Sequence, residues 1–212
     1  MVITEISKYK GSTLCVLFDS GERIYINEKI AAEYSLKEGL SVPADAVDEI
    51  TAANDFRRAR ERALYLLDAR DYTFVELYRK LEQNYSAEIC LRVCRNMAEM
   101  RLINDRRYAE NYARELSETK GAGLFKARQE LKRRGLSDKI IEEVIEPYAD
   151  EEESFSRLEE LVERKYERYL TDEKGVKKVR NALIRQGYRY SEINAVLDLY
   201  DLDFDGRDEE YK

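Results

Sequence analysis

Three stretches of the chain repeat one another, and any fold must accommodate that pattern first. Gly123, Leu124, Ala127, Arg128, Leu131, Gly135, Leu136, Ile141, Val144, Ile145 and Tyr148 return 52 residues later as Gly175, Val176, Val179, Arg180, Leu183, Gly187, Tyr188, Ile193, Val196, Leu197 and Tyr200. A fainter copy lies 50 residues upstream, where Phe74, Leu77 and Leu81 occupy the places of Leu124, Ala127 and Leu131. Within each copy the apolar residues fall at i, i+3 and i+7, which gives one buried stripe per helix. A period near 50 with helical spacing describes stacked helical units. Such arrays more often present a surface to a large partner than enclose a small substrate.

The first 45 residues read differently. Residues 13–18 and 22–26 are rich in β-branched and aromatic side chains and flank Asp19-Ser20-Gly21, a hairpin signal. Residues 3–8 supply a third strand and 28–34 a short helix. From there the spacing predicts nine helices in three groups: 47–69, 73–84 and 87–101; 105–118, 123–134 and 138–148; 152–170, 174–186 and 191–201. The chain is therefore expected to comprise a small β-rich unit (1–45), three three-helix repeats (46–103, 104–149 and 150–201) and an acidic tail (202–212). Thr73 with Glu76 makes a capping box, and Ser86, Asp105 and Ser137 are placed to cap their helices. Gly135 and Gly187 follow runs of apolar spacing, where a helix stops on a left-handed residue.

The residue inventory argues against an enzyme. The chain has no histidine and no tryptophan, which removes the commonest general base and the imidazole metal ligand. Cys90 and Cys94 share a helical face, but nothing nearby completes a metal site, so they read as small buried hydrophobes. Gly121-Ala122-Gly123 lacks the rest of a phosphate loop and reads as a helix–helix connection. Glu151, Glu152 and Glu153 suit the first turn of a helix. Tyr108 and Tyr112 could stack bases, yet their place in the repeat favours packing. No cofactor or metal is expected. No apolar run approaches the roughly 20 residues that span a bilayer, and three cysteines fit a reducing cytoplasm.

Charge is segregated. The net charge of -7 conceals a basic segment, 120–134, with six cations against one acid, and a second, 174–189, with six cations and no acid. At about 100° per residue, with Leu124 at zero, Lys126 and Arg133 fall near 200° and 180°, opposite the buried stripe. Lys178 and Arg185 fall at the same angles counted from Val176. Arg128 and Arg180 both lie near 40°, and Lys132 joins the flank. The first repeat has Glu76 and Gln83 at the outward positions. Lys126, Arg128, Lys132, Arg133, Lys178, Arg180 and Arg185 are thus candidates for a surface that meets phosphates or an acidic protein.

Leu102-Ile103-Asn104-Asp105, Tyr108-Ala109 and Tyr112, leading into Gly121, Gly123, Lys126, Arg128, Glu130-Leu131-Lys132-Arg133-Arg134-Gly135-Leu136, resemble the central signature of the RecX family, regulators of the RecA recombinase. Thr73, Glu76, Leu77, Lys80 and Leu81 are similar to the family's first repeat, and Lys178, Leu183, Arg185, Gly187 and Tyr188 to its third. Asn104 stands where an acid is frequent. The resemblance implies an elongated, curved array of three three-helix repeats, acting as a monomer along the groove of a RecA–DNA filament. It further implies restraint of ATP hydrolysis, strand exchange and co-protease activity. An alternative reading is a helical repeat protein that binds single-stranded nucleic acid directly, without RecA.

Overall fold

The computed structural model describes residues 1–200, so the acidic tail expected over 202–212 lies outside the described residues. Two compact units meet at the Ile103–Asn104 bond.

In the first unit β1 (Ile3–Lys10), β2 (Thr13–Phe18) and β3 (Arg23–Asn27) form an antiparallel sheet in chain order. Alternation sets its faces: Val16, Phe18 and Ile26 are buried, whereas Tyr25 between Ile24 and Ile26 points outward. The inner face packs on Ile30 of α1 (Glu28–Glu33) and on Val47 and Ile50 of α2 (Ala44–Ala69). This helical backing covers the apolar face of the small sheet and stabilises it. Two buried asparagines fix the joint. The Asn27 amide donates to Asn54 Oδ1 at 2.9 Å, and Asn54 Nδ2 donates to the Tyr25 carbonyl at 3.2 Å.

α2 starts at Ala44, directly after Pro43, and runs unbroken for 26 residues, about 39 Å at 1.5 Å per residue. Its second half belongs to another core. There Ala59, Ala63 and Leu66 meet Leu77 and Leu81 of α3 (Phe74–Leu81) and Val93, Cys94 and Met97 of α4 (Ala87–Glu99). One helix therefore serves both the sheet and the first helical group. The Thr73–Glu76 capping box forms, and Ser86 caps α4.

The second unit holds two more three-helix groups. α5 (Asp105–Arg114), α6 (Leu124–Arg133) and α7 (Asp138–Ile145) close around Ala109, Leu116, Leu131 and Ile145. α8 (Glu151–Lys165), α9 (Glu173–Arg185) and α10 (Tyr190–Leu197) close around Leu158, Val179, Leu183 and Ile193. Gly135 and Gly187 have φ of 81° and 90°, the left-handed stops that the spacing required.

Three local details differ from the sequence-based expectation. Asn104, not Asp105, caps α5, its Oδ1 accepting from the Arg107 amide at 2.9 Å, while Asp105 is the first helical residue. The helix expected over 105–118 changes at Glu115 into a π-helical turn, Glu115–Thr119. The helix expected over 152–170 ends at Lys165 and is followed by a 3-10 turn, Glu167–Tyr169.

Candidate binding surface on the second and third repeats

The seven candidate cations divide by repeat. On α6 and its flank they are engaged. Arg128 makes a bidentate pair with Glu142, at 3.1 Å from Nε and 2.8 Å from Nη2. Lys132 pairs with Asp138 at 3.0 Å and Arg133 with Glu130 at 2.5 Å. Nearby Lys120 pairs with Glu115 at 2.9 Å, and that hydrogen bond holds its ammonium pKa above the ordinary value.

On α9 the equivalent cations are less committed. Lys178 and Arg185 are exposed and make no ion pair among the described residues. Lys178 lines an open cleft with Arg168, Lys174, Tyr166 and Tyr169. Arg180 is half-buried. Its guanidinium lies 5.6 Å from the centroid of the Tyr190 ring, and its Nε is buried without a hydrogen-bond partner. Exposed pairs such as Lys132–Asp138 are worth about 0–1 kcal/mol, so a partner can exchange them cheaply. The unpaired charges on α9 need no exchange at all.

Lys126 departs from the helical-wheel expectation. It is half-buried, and its Nζ donates to Oε1 of Gln186 at the end of α9. The cause is a close joint between the two groups. The Gly123 amide, at the N-cap of α6, donates to the Gln186 carbonyl at 2.8 Å, and the Phe125 amide to the Gly187 carbonyl at 3.4 Å. Gln186 Nε2 also donates to the Lys120 carbonyl at 3.4 Å. The carboxyl end of α9 thus caps the amino end of α6, with helix dipoles aligned favourably. The approach needs two glycines. A Cβ on Gly123 would overlap the Gly187 carbonyl, and one on Gly187 would overlap the Lys126 backbone. Gln186 was invisible to the repeat pattern, because its role lies between copies rather than within one.

The remaining sequence candidates take structural places. Cys90 and Cys94 are buried, and burial pushes the Cys94 thiol up to about 12. Burial likewise pushes the Tyr188 phenol to about 12. Tyr108 and Tyr112 pack on the second core with ring centroids 5.9 Å apart. Glu151, Glu152 and Glu153 form the first turn of α8. Among the described residues no cluster of three or more histidines, cysteines or carboxylates is placed to hold a metal ion. No helix among them is long and apolar enough to cross a membrane.

Sheet, repeats and charged helix faces together define a mainly helical protein of three-helix units with a small amino-terminal sheet. Residues 104–145 match the family model for the second three-helix domain of RecX, and residues 151–197 match that for the third. The chain is 30% identical over 206 residues to the Regulatory protein RecX of Streptococcus sanguinis, covering 97% of this chain and 79% of that one. It is 28% identical over 199 residues to the Regulatory protein RecX of Clostridium acetobutylicum, covering 91% and 92%. A crystal structure of a regulatory protein RecX superposes with a TM-score of 0.67 at 20% identity, over 93% of this chain and 98% of that one. RecX from Lactobacillus salivarius superposes at 0.61 with 25% identity, over 71% and 99%. The chain belongs to the RecX family of regulatory proteins.

Proposed function

We propose that this protein binds RecA and RecA–DNA filaments and inhibits recombinase, ATPase and co-protease activity in DNA repair and the SOS response. It acts as a cytoplasmic monomer, without catalysis of its own and without a cofactor. The observation that carries the reading is the near-full-length likeness to proteins named Regulatory protein RecX. The charge arrangement supports it. A nucleoprotein filament offers phosphates and acidic protein surface, and a ligand for it gains most from cations that are exposed and uncommitted. Lys178 and Arg185 on α9 meet that description; Arg128, Lys132, Arg133 and Arg180 are further candidates, and Lys126 holds the joint.

The test is inhibition of the RecA ATPase on single-stranded DNA. Lys178→Glu/Arg185→Glu is expected to weaken inhibition at least about tenfold in affinity, or about 1.4 kcal/mol. The melting temperature should stay nearly constant, because both side chains are solvated. Arg128→Glu/Lys132→Glu is expected to do less, since those cations are already paired. The wild-type effect should fade with added salt as exposed charges are screened. Full inhibition by Lys178→Glu/Arg185→Glu would remove α9 from the contact.

A further inference from the structure

The outer face of the amino-terminal sheet carries two features that its folding does not require. Tyr9 and Tyr25 stand 66% and 47% exposed with ring centroids 4.8 Å apart, so two aromatic rings are held side by side in water. Their placement is specific. In the β1–β2 register Lys8 faces Leu14 while Lys10 faces Thr13, which leaves Tyr9 as the extra residue of a β-bulge. A bulge re-aims one side chain, here toward the ring that β3 presents opposite Cys15.

Cations surround the pair. A cleft of about 450 Å³ runs from the two rings to α2 and is lined by Lys10, Arg57, Arg58 and Tyr85 among others. Glu61 also lines it and pairs with Arg57, and Asp55 lies 3.6 Å from Arg58. Three cations against one lining carboxylate leave the cleft positive. The Arg58–Asp55 pair is an exposed i,i+3 contact, the weak kind that a phosphate displaces readily, whereas Arg57 is half-buried beside the cleft. Arg57 keeps its Nε buried without a hydrogen-bond partner. Arg23 lies two residues from Tyr25, on the same face of β3 by strand alternation.

Exposed rings beside a positive groove are the two components by which proteins hold unpaired nucleic-acid strands, through base stacking and backbone neutralisation. An acidic peptide would use the cations but has no need of the paired rings. We infer that the outer sheet face and the cleft below it bind single-stranded nucleic acid, with bases on Tyr9 and Tyr25 and phosphates at Lys10, Arg57 and Arg58. The site lies in the first unit and is independent of the repeat cations.

Fluorescence anisotropy of a labelled 20-mer of deoxythymidine, with the full chain and no RecA present, tests this at low salt. Tyr9→Ala/Tyr25→Ala is expected to weaken binding at least about tenfold, given the usual contribution of a stacked base. Tyr9→Phe/Tyr25→Phe should bind within about twofold of the wild type, because it keeps both rings. If the alanine pair lowers the melting temperature, Arg58→Glu, on a largely exposed side chain, carries the same expectation. ATPase inhibition by Lys178→Glu/Arg185→Glu in parallel separates this site from the proposed RecA surface. Absence of wild-type binding, or wild-type affinity in the alanine pair and Arg58→Glu, overturns the inference. So does an alanine pair that keeps DNA affinity but loses inhibition of RecA, which would make the face a protein contact.

Discussion

At Gly187 two constraints coincide: a φ of 90° and the Lys126 backbone where a Cβ would stand. Gly39 shares the first, at 80°, but has open space around it. Gly39→Ala is therefore expected to cost about 1 kcal/mol, the strain of a left-handed alanine, and Gly187→Ala about 2 kcal/mol more, from overpacking against backbone. Urea denaturation of both variants checks the difference, and equal losses would mean that the joint gives way without penalty. The left-handed stop was legible from the end of an apolar run, whereas the close approach was not. A helical wheel ranks residues by angle about one axis, so it placed Lys126 outward and could not see that a second helix ends there. Titration supplies another residue-scale test. Cys94 and Tyr188 ionise at about 12 in the folded chain, against ordinary values of 9.0 and 10.0. Both shifts are upward, so their stabilising contribution is complete below about pH 9 and is lost as pH rises toward 12, where the unfolded chain ionises first. Melting temperatures should fall steadily from pH 9 to 11, and Cys94→Val should flatten the lower part of that fall.

The middle helices α3, α6 and α9 were the most readable elements, because their apolar residues recur at one spacing in all three groups and each buries that stripe. Their neighbours were harder at the ends. Residues 115–119 keep helical composition, and only packing decides that the backbone there widens to a π turn, with the Lys120 amide bonded to the Glu115 carbonyl at 3.0 Å. The cap of α5 was misplaced by one residue since asparagine and aspartate compete for the same role. The two are separable by mutation. Asn104→Ala removes the side-chain acceptor and should cost about 1 kcal/mol, whereas Asp105→Ala removes a first-turn carboxylate worth about 0.3–1 kcal/mol at low salt. Thermal melts of the two variants at low and high salt check this: only the Asp105 effect should shrink with salt.

For the molecule as a whole, the three-group plan was visible in the repeat, but the sharing of α2 between two cores was not. Local composition changes near residue 45, while the helix that follows carries one stripe for the sheet and another for the first group. Removing residues 1–43 should uncover Val47, Ile50 and Asn54 and fray the start of α2, leaving the remaining helices to melt cooperatively. Circular dichroism with hydrogen exchange tests that outcome, and loss of the cooperative transition would show that the repeats depend on the sheet. The joint at Gly123 reaches further still. The acceptor for its amide is the carbonyl of Gln186, which belongs to the next helical group along the chain. The exchange of that single proton is therefore sensitive to opening of the third group as well as of the second. Any ligand that settles on α9 and quiets it should slow exchange at Gly123, so one amide inside the second repeat becomes a clock for events on the third.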